Sequence, residues 1–463
     1  MRATIADILS ATAGRLAQGD AAAVVDGVTT DSRAVRAGEL FVALRGENFD
    51  GHGFVAAALN AGAAAALVSR VPDGLAATRP LVLVDDTLAA YQALGGWWRD
   101  RVSPTVVGVT GSNGKTTTKE MLALALAGLG PTMCSEANHN NHVGVPQTLL
   151  RIRPEDRYAV VEMGVNHFGE MAPLARPTRP DVGVITNITR THAEGFGSEE
   201  GVAREKSVML DYLAPDGLAV LHADDPWSRG IAERHPGRKV TFGFSRDADW
   251  RATRVRQADR CVRFTVERTG DGVTLPAIGR WQVSNAMAAI AVAAELGLSV
   301  AEAAERLGAF RPPKWRMDVR RAGRLTLLLD CYNANPASML GAVAELRRRR
   351  RRGRRVAVLG DMLELGEVSE TAHRDIGRAV AAAGIELLCA IGERADAVAD
   401  EALTHGMEPT RVFRTCARDE AAGWLRGHLE PRDTVLFKAS RGIRLEEVAD
   451  AVTAWATAGA AQG

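Results

Sequence analysis

Short apolar runs punctuate the chain, and between them apolar positions recur at helical spacing. In the first hundred residues, runs at 24–30, 40–44, 64–68 and 81–84 read as strands, with a small-residue helix over 54–61 among them. From there the alternation becomes regular. Strands at 105–109, 159–163, 182–187 and 218–222 are separated by helical stretches, the order of a parallel α/β sheet. Runs at 239–244 and 261–266 read as a small β addition, and 283–296 as an Ala-rich helix. Pro312-Pro313 interrupts the pattern, because consecutive prolines cannot continue a helix. Beyond it, strands at 325–329, 356–359, 387–391 and 434–437 alternate with helices again.

A chain of 463 residues exceeds what one hydrophobic core supports. The pattern predicts an α/β protein of three domains, 1–102, 103–312 and 313–463, with the first boundary near Arg101-Val102-Ser103-Pro104. The central unit is a parallel sheet, and the third is a Rossmann-like α/β unit.

Composition removes several function classes. The 57 basic residues nearly balance the 56 acidic ones, which argues against bulk binding to nucleic acid or anionic membrane. Five cysteines (Cys134, Cys261, Cys331, Cys389 and Cys416) show no CxxC spacing and read as reduced thiols. The opening residues, Met1-Arg2-Ala3-Thr4-Ile5-Ala6-Asp7, lack the long apolar stretch of an export signal. Elsewhere no apolar stretch reaches the roughly 18 residues of a membrane span. The expectation is a soluble cytoplasmic protein with no nucleic-acid partner. One biased run, 347–352 followed by Gly353, Arg354 and Arg355, falls at the end of a predicted helix. There cations suit the negative end of the dipole, and the run reads as a solvated helix end.

Candidate chemistry begins at 108–118, Gly-Val-Thr-Gly-Ser-Asn-Gly-Lys-Thr-Thr-Thr, between a strand and a helix expected from Thr117. Gly111 and Gly114 let backbone N–H groups converge on phosphate oxygens, with Ser112 and Asn113 between them. Lys115 supplies a cation for β/γ-phosphates, the Thr116 hydroxyl suits Mg²⁺, and Thr117 opens the helix whose positive end faces the anion. A strict phosphate-loop pattern has glycine at 109, where this chain has Val109. Glu162 ends a neighbouring strand, from which a carboxylate can reach Mg²⁺ at the crevice of the strand ends. His192 follows another strand of the same sheet and suits a second cation. Lys206, on spacing alone, is a helix-surface lysine.

Further segments carry a family likeness. They are Thr29-Thr30-Asp31-Ser32-Arg33, Gly46-Glu47-Asn48-Phe49-Asp50-Gly51-His52, and Asn138-His139-Asn140-Asn141-His142-Val143-Gly144. Three more lie beyond the double proline: Trp315-Arg316-Met317-Asp318, Asp330-Cys331-Tyr332-Asn333-Ala334-Asn335-Pro336 and Lys438-Ala439-Ser440-Arg441-Gly442. With the variant phosphate loop, they resemble the Mur ligases, ATP-dependent amide ligases of peptidoglycan precursor synthesis, over nearly the whole chain. The resemblance is strongest to members that join D-alanyl-D-alanine to UDP-N-acetylmuramoyl-tripeptide, and it implies ATP and Mg²⁺ as cofactors and a monomer.

Carried over position by position, the resemblance implies a UDP-binding first domain with Ser32 and Arg33 at the substrate, and Asn140 and Asn141 meeting the muramoyl peptide. It makes Thr116, Glu162 and His192 magnesium ligands, with Lys206 carbamylated so that it presents an anion to the metal. Asn285 is implied at the adenine end of ATP, Arg316 at its phosphates and Asp330 near its ribose; Trp281-Gln282 replaces the family's His-Asn. Lys115, Lys206 and Arg316 are the implied catalytic residues, and Asn333, Asn335, Ser440 and Arg441 the implied contacts for the incoming dipeptide. The alternatives are a sister ligase with another amino substrate, or a nucleic-acid-dependent ATPase using the arginine run. The Tyr332–Pro336 run opposes the first, and the charge balance opposes the second.

Overall fold

The computed structural model describes residues 1–46, 49–73, 75, 79–190, 193–349 and 353–460. Among them the apolar runs become strands of three large sheets, with one small antiparallel pair. The run at 24–30 divides at Gly27, whose φ of 119° breaks the strand. Val24–Asp26 pairs antiparallel with Arg2–Thr4, while Val28–Thr29 lies parallel to Leu40–Val42. The first large sheet runs Arg15–Gln18, Leu81–Leu83, Ala65–Val68, Leu40–Val42, Val28–Thr29, and only its first pairing is antiparallel.

The second sheet has nine strands with Thr105–Thr110 between Tyr158–Glu162 and Val182–Ile185. The chain reverses its direction of winding around Thr105–Thr110, which opens a crevice at the carboxyl ends of these strands. Arg238–Gly243 runs parallel beside Leu218–His222, so it extends the main sheet and does not open a separate β unit. The order turns antiparallel only where Trp250–Gln257 meets Val262–Val266. Val107 and Val109 face one apolar layer, with the helices Lys115–Leu126 and Arg280–Glu295. Val106 faces the other, with Gly144–Leu150 and Met171–Thr178.

The helix Thr87–Val102 ties the first sheet to the second. A Cβ on Gly95 or Gly96 would come within 3.2 Å of Pro146 or Pro177, so two glycines let this helix sit close on its neighbours. Trp98 Nε1 donates to Ile152 O at 2.8 Å across the same seam.

The third sheet has the order Asp318–Ala322, Leu325–Leu329, Thr434–Lys438, Arg355–Gly360, Leu387–Ile391, Val412–Thr415, parallel after its first pair. The helix Pro336–Arg348 covers one face. Arg347 and Arg348 are exposed at its end, as a solvated terminus requires. Arg350, Arg351 and Arg352 lie outside the described residues. Arg354 departs from that picture: its guanidinium bonds Asp433 Oδ2 at 2.8 Å and Glu430 Oε1 at 3.1 Å. Asp433 is 1% exposed and also accepts the Arg354 and Glu430 N–H groups at 2.9 and 2.8 Å.

Asp433→Ala removes that hub. It is expected to lower the stability of the C-terminal domain by about 3 kcal/mol, the cost of breaking a buried pair. Arg347→Gln should shift it by less than about 0.5 kcal/mol. Denaturant unfolding followed by tryptophan fluorescence compares the two.

Candidate active site

The strand Thr105–Thr110 ends in a turn whose next residues are fixed from the neighbouring strand. Ser112 N donates to Asn187 O at 2.8 Å, and Asn113 N to Asn187 Oδ1 at 3.0 Å. Thr186 Oγ1 donates to Asn113 O at 2.6 Å, and Ser112 Oγ to Thr189 O at 3.0 Å. Gly111 has φ 142°, and a Cβ there would overlap Thr186 Oγ1. Gly114 has φ 82°, and a Cβ there would overlap Asn285 Oδ1. Both glycines are therefore demanded by close approach as well as by backbone conformation.

The helix begins at Lys115, two residues before the expected start, and no side chain caps it. Its first N–H groups and dipole point into the crevice, which suits an anion. Lys115 Nζ donates to Gly111 O at 2.8 Å, folding the side chain back over the turn. Burial lowers its pKa; the Glu162 carboxylate opposes that shift, and Arg316 adds to it.

This turn forms one wall of a cleft of about 1010 Å³. Ser112 to Thr117, Asn140, Asn141, Glu162 and Asn285 line it from the central sheet. Arg316, Asp330, Asn333, Asn335 and Lys438 line it from the C-terminal sheet, and Asp86, Leu88, Ala89 and Gln92 from the N-terminal helix. Asn335 Nδ2 donates to Asn113 Oδ1 at 2.7 Å, a direct bond between the C-terminal sheet's loop and the phosphate turn. Asn335 also caps the helix Pro336–Arg348 through Ser338 N at 2.9 Å. The Arg316 guanidinium lies over the Tyr332 ring at 4.0 Å.

Glu162 is 1% exposed. Asn140 Nδ2 donates to its Oε1 at 2.8 Å, while its buried Oε2 has no hydrogen-bond partner. A buried carboxylate oxygen left without a partner, in a cleft that the buried Thr116 also lines, fits a divalent cation. Among the described residues no group of three or more His, Cys, Asp or Glu side chains could hold a metal. His192 lies outside the described residues.

Lys206 is 1% exposed, which removes it from the class of surface lysines. Its Nζ lies 5.9 Å from the Phe196 ring centroid. Burial first, and the Lys115 charge second, push its amine well below the usual lysine range, with Glu205 and Glu170 opposing. Glu205 is turned away, accepting Met171 N at 2.7 Å and Gly169 N at 3.0 Å.

Ser32, Arg33, Ser440 and Arg441 lie outside the cleft lining. Ser440 is buried and accepts Leu363 N at 3.0 Å, and Arg441 pairs with Glu446 and covers the Trp315 ring at 4.5 Å. Ser32 and Arg33 sit at the edge of the N-terminal sheet, where the Arg33 guanidinium, at 2.8 Å, holds the Asp31 carboxyl down at about 2. Asn285 Nδ2 donates to Gln282 Oε1 at 3.0 Å, so Gln282 supports the asparagine. Sequence reasoning missed Thr186 and Asn187 as site residues, and it singled out Lys438 only as part of the run Lys438–Gly442. Lys438 is 2% exposed and bonds Asp330 Oδ2 at 2.6 Å and Asn333 O at 3.0 Å.

The fold and the cleft define a phosphate-loop enzyme in which a second α/β domain reaches across the nucleotide site. Residues 24–95 match the family described as Mur ligase family, catalytic domain; residues 109–293 match the Mur ligase middle domain, and 315–441 the Mur ligase, glutamate ligase domain. The chain is 35% identical to the UDP-N-acetylmuramoyl-tripeptide--D-alanyl-D-alanine ligase of Bacillus subtilis over 92% of each chain. Among solved structures, MurF from Acinetobacter baumannii superimposes with a TM-score of 0.91 at 32% identity, covering 98% of this chain and 99% of that one. MurF ligase from Thermotoga maritima in complex with ADP gives 0.84 at 27%, covering 93% and 98%. The chain belongs to the Mur ligase family.

Gly111→Ala tests the phosphate turn. The added Cβ collides with Thr186 at a positive φ, so ADP binding measured by calorimetry is expected to fall below detection. The central sheet packs away from the turn, so far-UV circular dichroism should be unchanged.

Proposed function

We propose that this chain uses ATP to join D-alanyl-D-alanine to UDP-N-acetylmuramoyl-tripeptide, forming the pentapeptide precursor of peptidoglycan. The observation that carries the reading is the convergence of Lys115, Arg316 and Asn335 on one cleft, with Asn335 bonded to the phosphate turn at 2.7 Å. An acid needs activation before an amine can displace its oxygen. The tripeptide carboxylate attacks the γ-phosphorus of ATP, ADP leaves, and an acyl phosphate forms. The dipeptide amine then attacks the acyl carbon and phosphate departs.

Phosphoryl transfer is mostly positioning and charge neutralisation. Lys115 and the N–H groups at the helix start orient the phosphates, and Arg316 neutralises charge from the opposite wall. Asn285 takes the adenine end and Asp330 the ribose, the latter held by Lys438 and by Met317 N at 3.0 Å. Thr116 and Glu162 would hold Mg²⁺, and His192 and a carbamylated Lys206 would hold a second ion; bound there, the metal would supply further neutralisation of the reacting oxygens. A carbamate suits Lys206 because it replaces a buried cation close to Lys115 with an anion.

The remaining parts follow from this reading. Residues 1–102 anchor the UDP-muramoyl peptide through Ser32 and Arg33, 103–312 hold ATP, and 313–463 bring the dipeptide to Asn333, Asn335, Ser440 and Arg441. Water would hydrolyse the acyl phosphate, so closure across the cleft has a chemical purpose. The enzyme acts as a monomer in the cytoplasm. Among the described residues no helix is long and apolar enough to cross a membrane.

Phosphate release is the direct assay. It is expected only when UDP-N-acetylmuramoyl-tripeptide, D-alanyl-D-alanine and ATP are all present; equal release with another amino acid in place of the dipeptide would return the assignment to a sister ligase. Lys206→Ala is expected to be nearly inactive and partly rescued by formate, whose carboxylate replaces the carbamate. Full activity without formate would remove Lys206 from the metal site.

A further inference from the structure

One fully buried lysine has no part in the chemistry above. Lys119 lies one turn beyond Lys115 on the helix Lys115–Leu126 and is 0% exposed. An ammonium in that setting needs acceptors in place of water. Its Nζ donates to Ser135 O at 2.5 Å, with Ala137 O at 3.5 Å and Glu120 Oε1 at 2.9 Å. Both carbonyls belong to the short segment that leads from the strand Thr132–Cys134 to the cleft-lining residues Asn138, Asn140, Asn141 and His142. Ala137 has φ 44°, a left-handed conformation that L side chains avoid, so something must hold it there.

The far side of the segment is fixed as well. Ser135 N donates to Val160 O at 2.9 Å, and Ser135 Oγ accepts Glu162 N at 3.0 Å. Asn140 reaches the same strand end, through Glu162 Oε1 and through its own carbonyl to Gly164 N at 2.8 Å. The segment is thus clamped between the helix that starts at the phosphate turn and the strand that ends in Glu162.

We propose that Lys119 is a positioning residue that locks 135–142 to the phosphate-loop helix, so that the loop receiving the UDP-muramoyl peptide is held in register with ATP. The proposal rests on the reading of 138–142 as the loop that meets this substrate. Lys119 touches neither substrate; it acts through the two carbonyls.

The test compares Lys119→Met, which keeps the bulk and removes the amine, with Lys119→Gln, which keeps a donor. Hydrogen exchange of the intact enzyme is followed at 135–142 and at 115–126, beside the KM for UDP-N-acetylmuramoyl-tripeptide and the affinity for ADP. In Lys119→Met, amide exchange at 135–142 should quicken about tenfold or more while 115–126 stays protected. The KM for the UDP-muramoyl peptide should rise about tenfold, with ADP affinity changed less than about twofold. Lys119→Gln should fall between wild type and Met on both readouts, and it carries the comparison if the methionine variant does not fold. Unchanged exchange at 135–142 would overturn the proposal. So would an equal loss of ADP affinity, which would make Lys119 a support of the helix alone. Faster exchange with an unchanged KM would instead overturn the reading of 138–142 as the substrate loop, and the positioning role with it.

Discussion

The active-site architecture depends on how closely the residues after Val182–Ile185 approach the phosphate turn. Thr186 stands where a Cβ on Gly111 would be, and its hydroxyl holds Asn113 O at 2.6 Å. Asn187 then takes Ser112 N and Asn113 N, so the turn's backbone is fixed before any phosphate arrives. Those two N–H groups are spent on Asn187, so the fixed turn offers an anion the N–H groups of the helix start, which need not reorganise during the reaction. The same turn carries the C-terminal domain's contact, since Asn113 Oδ1 accepts from Asn335. One strand crossing therefore sets both the phosphate cradle and the place where the second α/β domain docks.

The strands that were legible in the sequence are those with both faces covered. The runs at 105–109, 218–222, 325–329 and 387–391 are nearly all apolar because helices lie on both sides of their sheets. The strands that were not legible sit at sheet edges or in the antiparallel extension. Arg15–Gln18, Asp318–Ala322 and Trp250–Gln257 carry arginines and glutamines on exposed positions, so no apolar run marks them. The run at 24–30 looked like one strand because its glycine carries no side-chain pattern, yet the φ at Gly27 sends its two halves to different sheets.

Site residues divide along a similar line. The phosphate turn was legible because its chemistry is local: two glycines, a lysine and a hydroxyl within six residues. Lys438 and Asp330 are 108 positions apart, and Asn335 and Asn113 are 222 apart. Nothing in residue spacing announces a pair at such separation. Lys206 shows the converse. Its helix reads as a charged surface helix, yet the fold places the lysine in the interior, and burial, not sequence, gives it chemical interest.

Arg316 gathers these distant parts into one support. Its neighbours Trp315 and Met317 have φ 62° and 54°, conformations that cost bulky residues roughly 1–3 kcal/mol each. Such strain persists only where the surroundings hold it. Tyr332 N donates to Trp315 O at 3.2 Å, Met317 N to Asp330 Oδ1 at 3.0 Å, and Arg316 N to Pro313 O at 3.1 Å. The Lys314 and Arg441 cations both lie over the Trp315 ring, at 4.3 and 4.5 Å. Asp330 can serve Met317 because Lys438 balances its charge from the adjacent strand. Three sequence runs, the furthest more than a hundred residues apart, thus act as a single bracket. That bracket begins at the second proline of the pair and otherwise lies C-terminal to it, so Arg316 is held as part of that domain. Under the proposed function, the charge Arg316 would bring to the phosphates would be delivered only with that domain across the cleft. The proposed chemistry would then be tied to closure without any residue of the phosphate turn having to move.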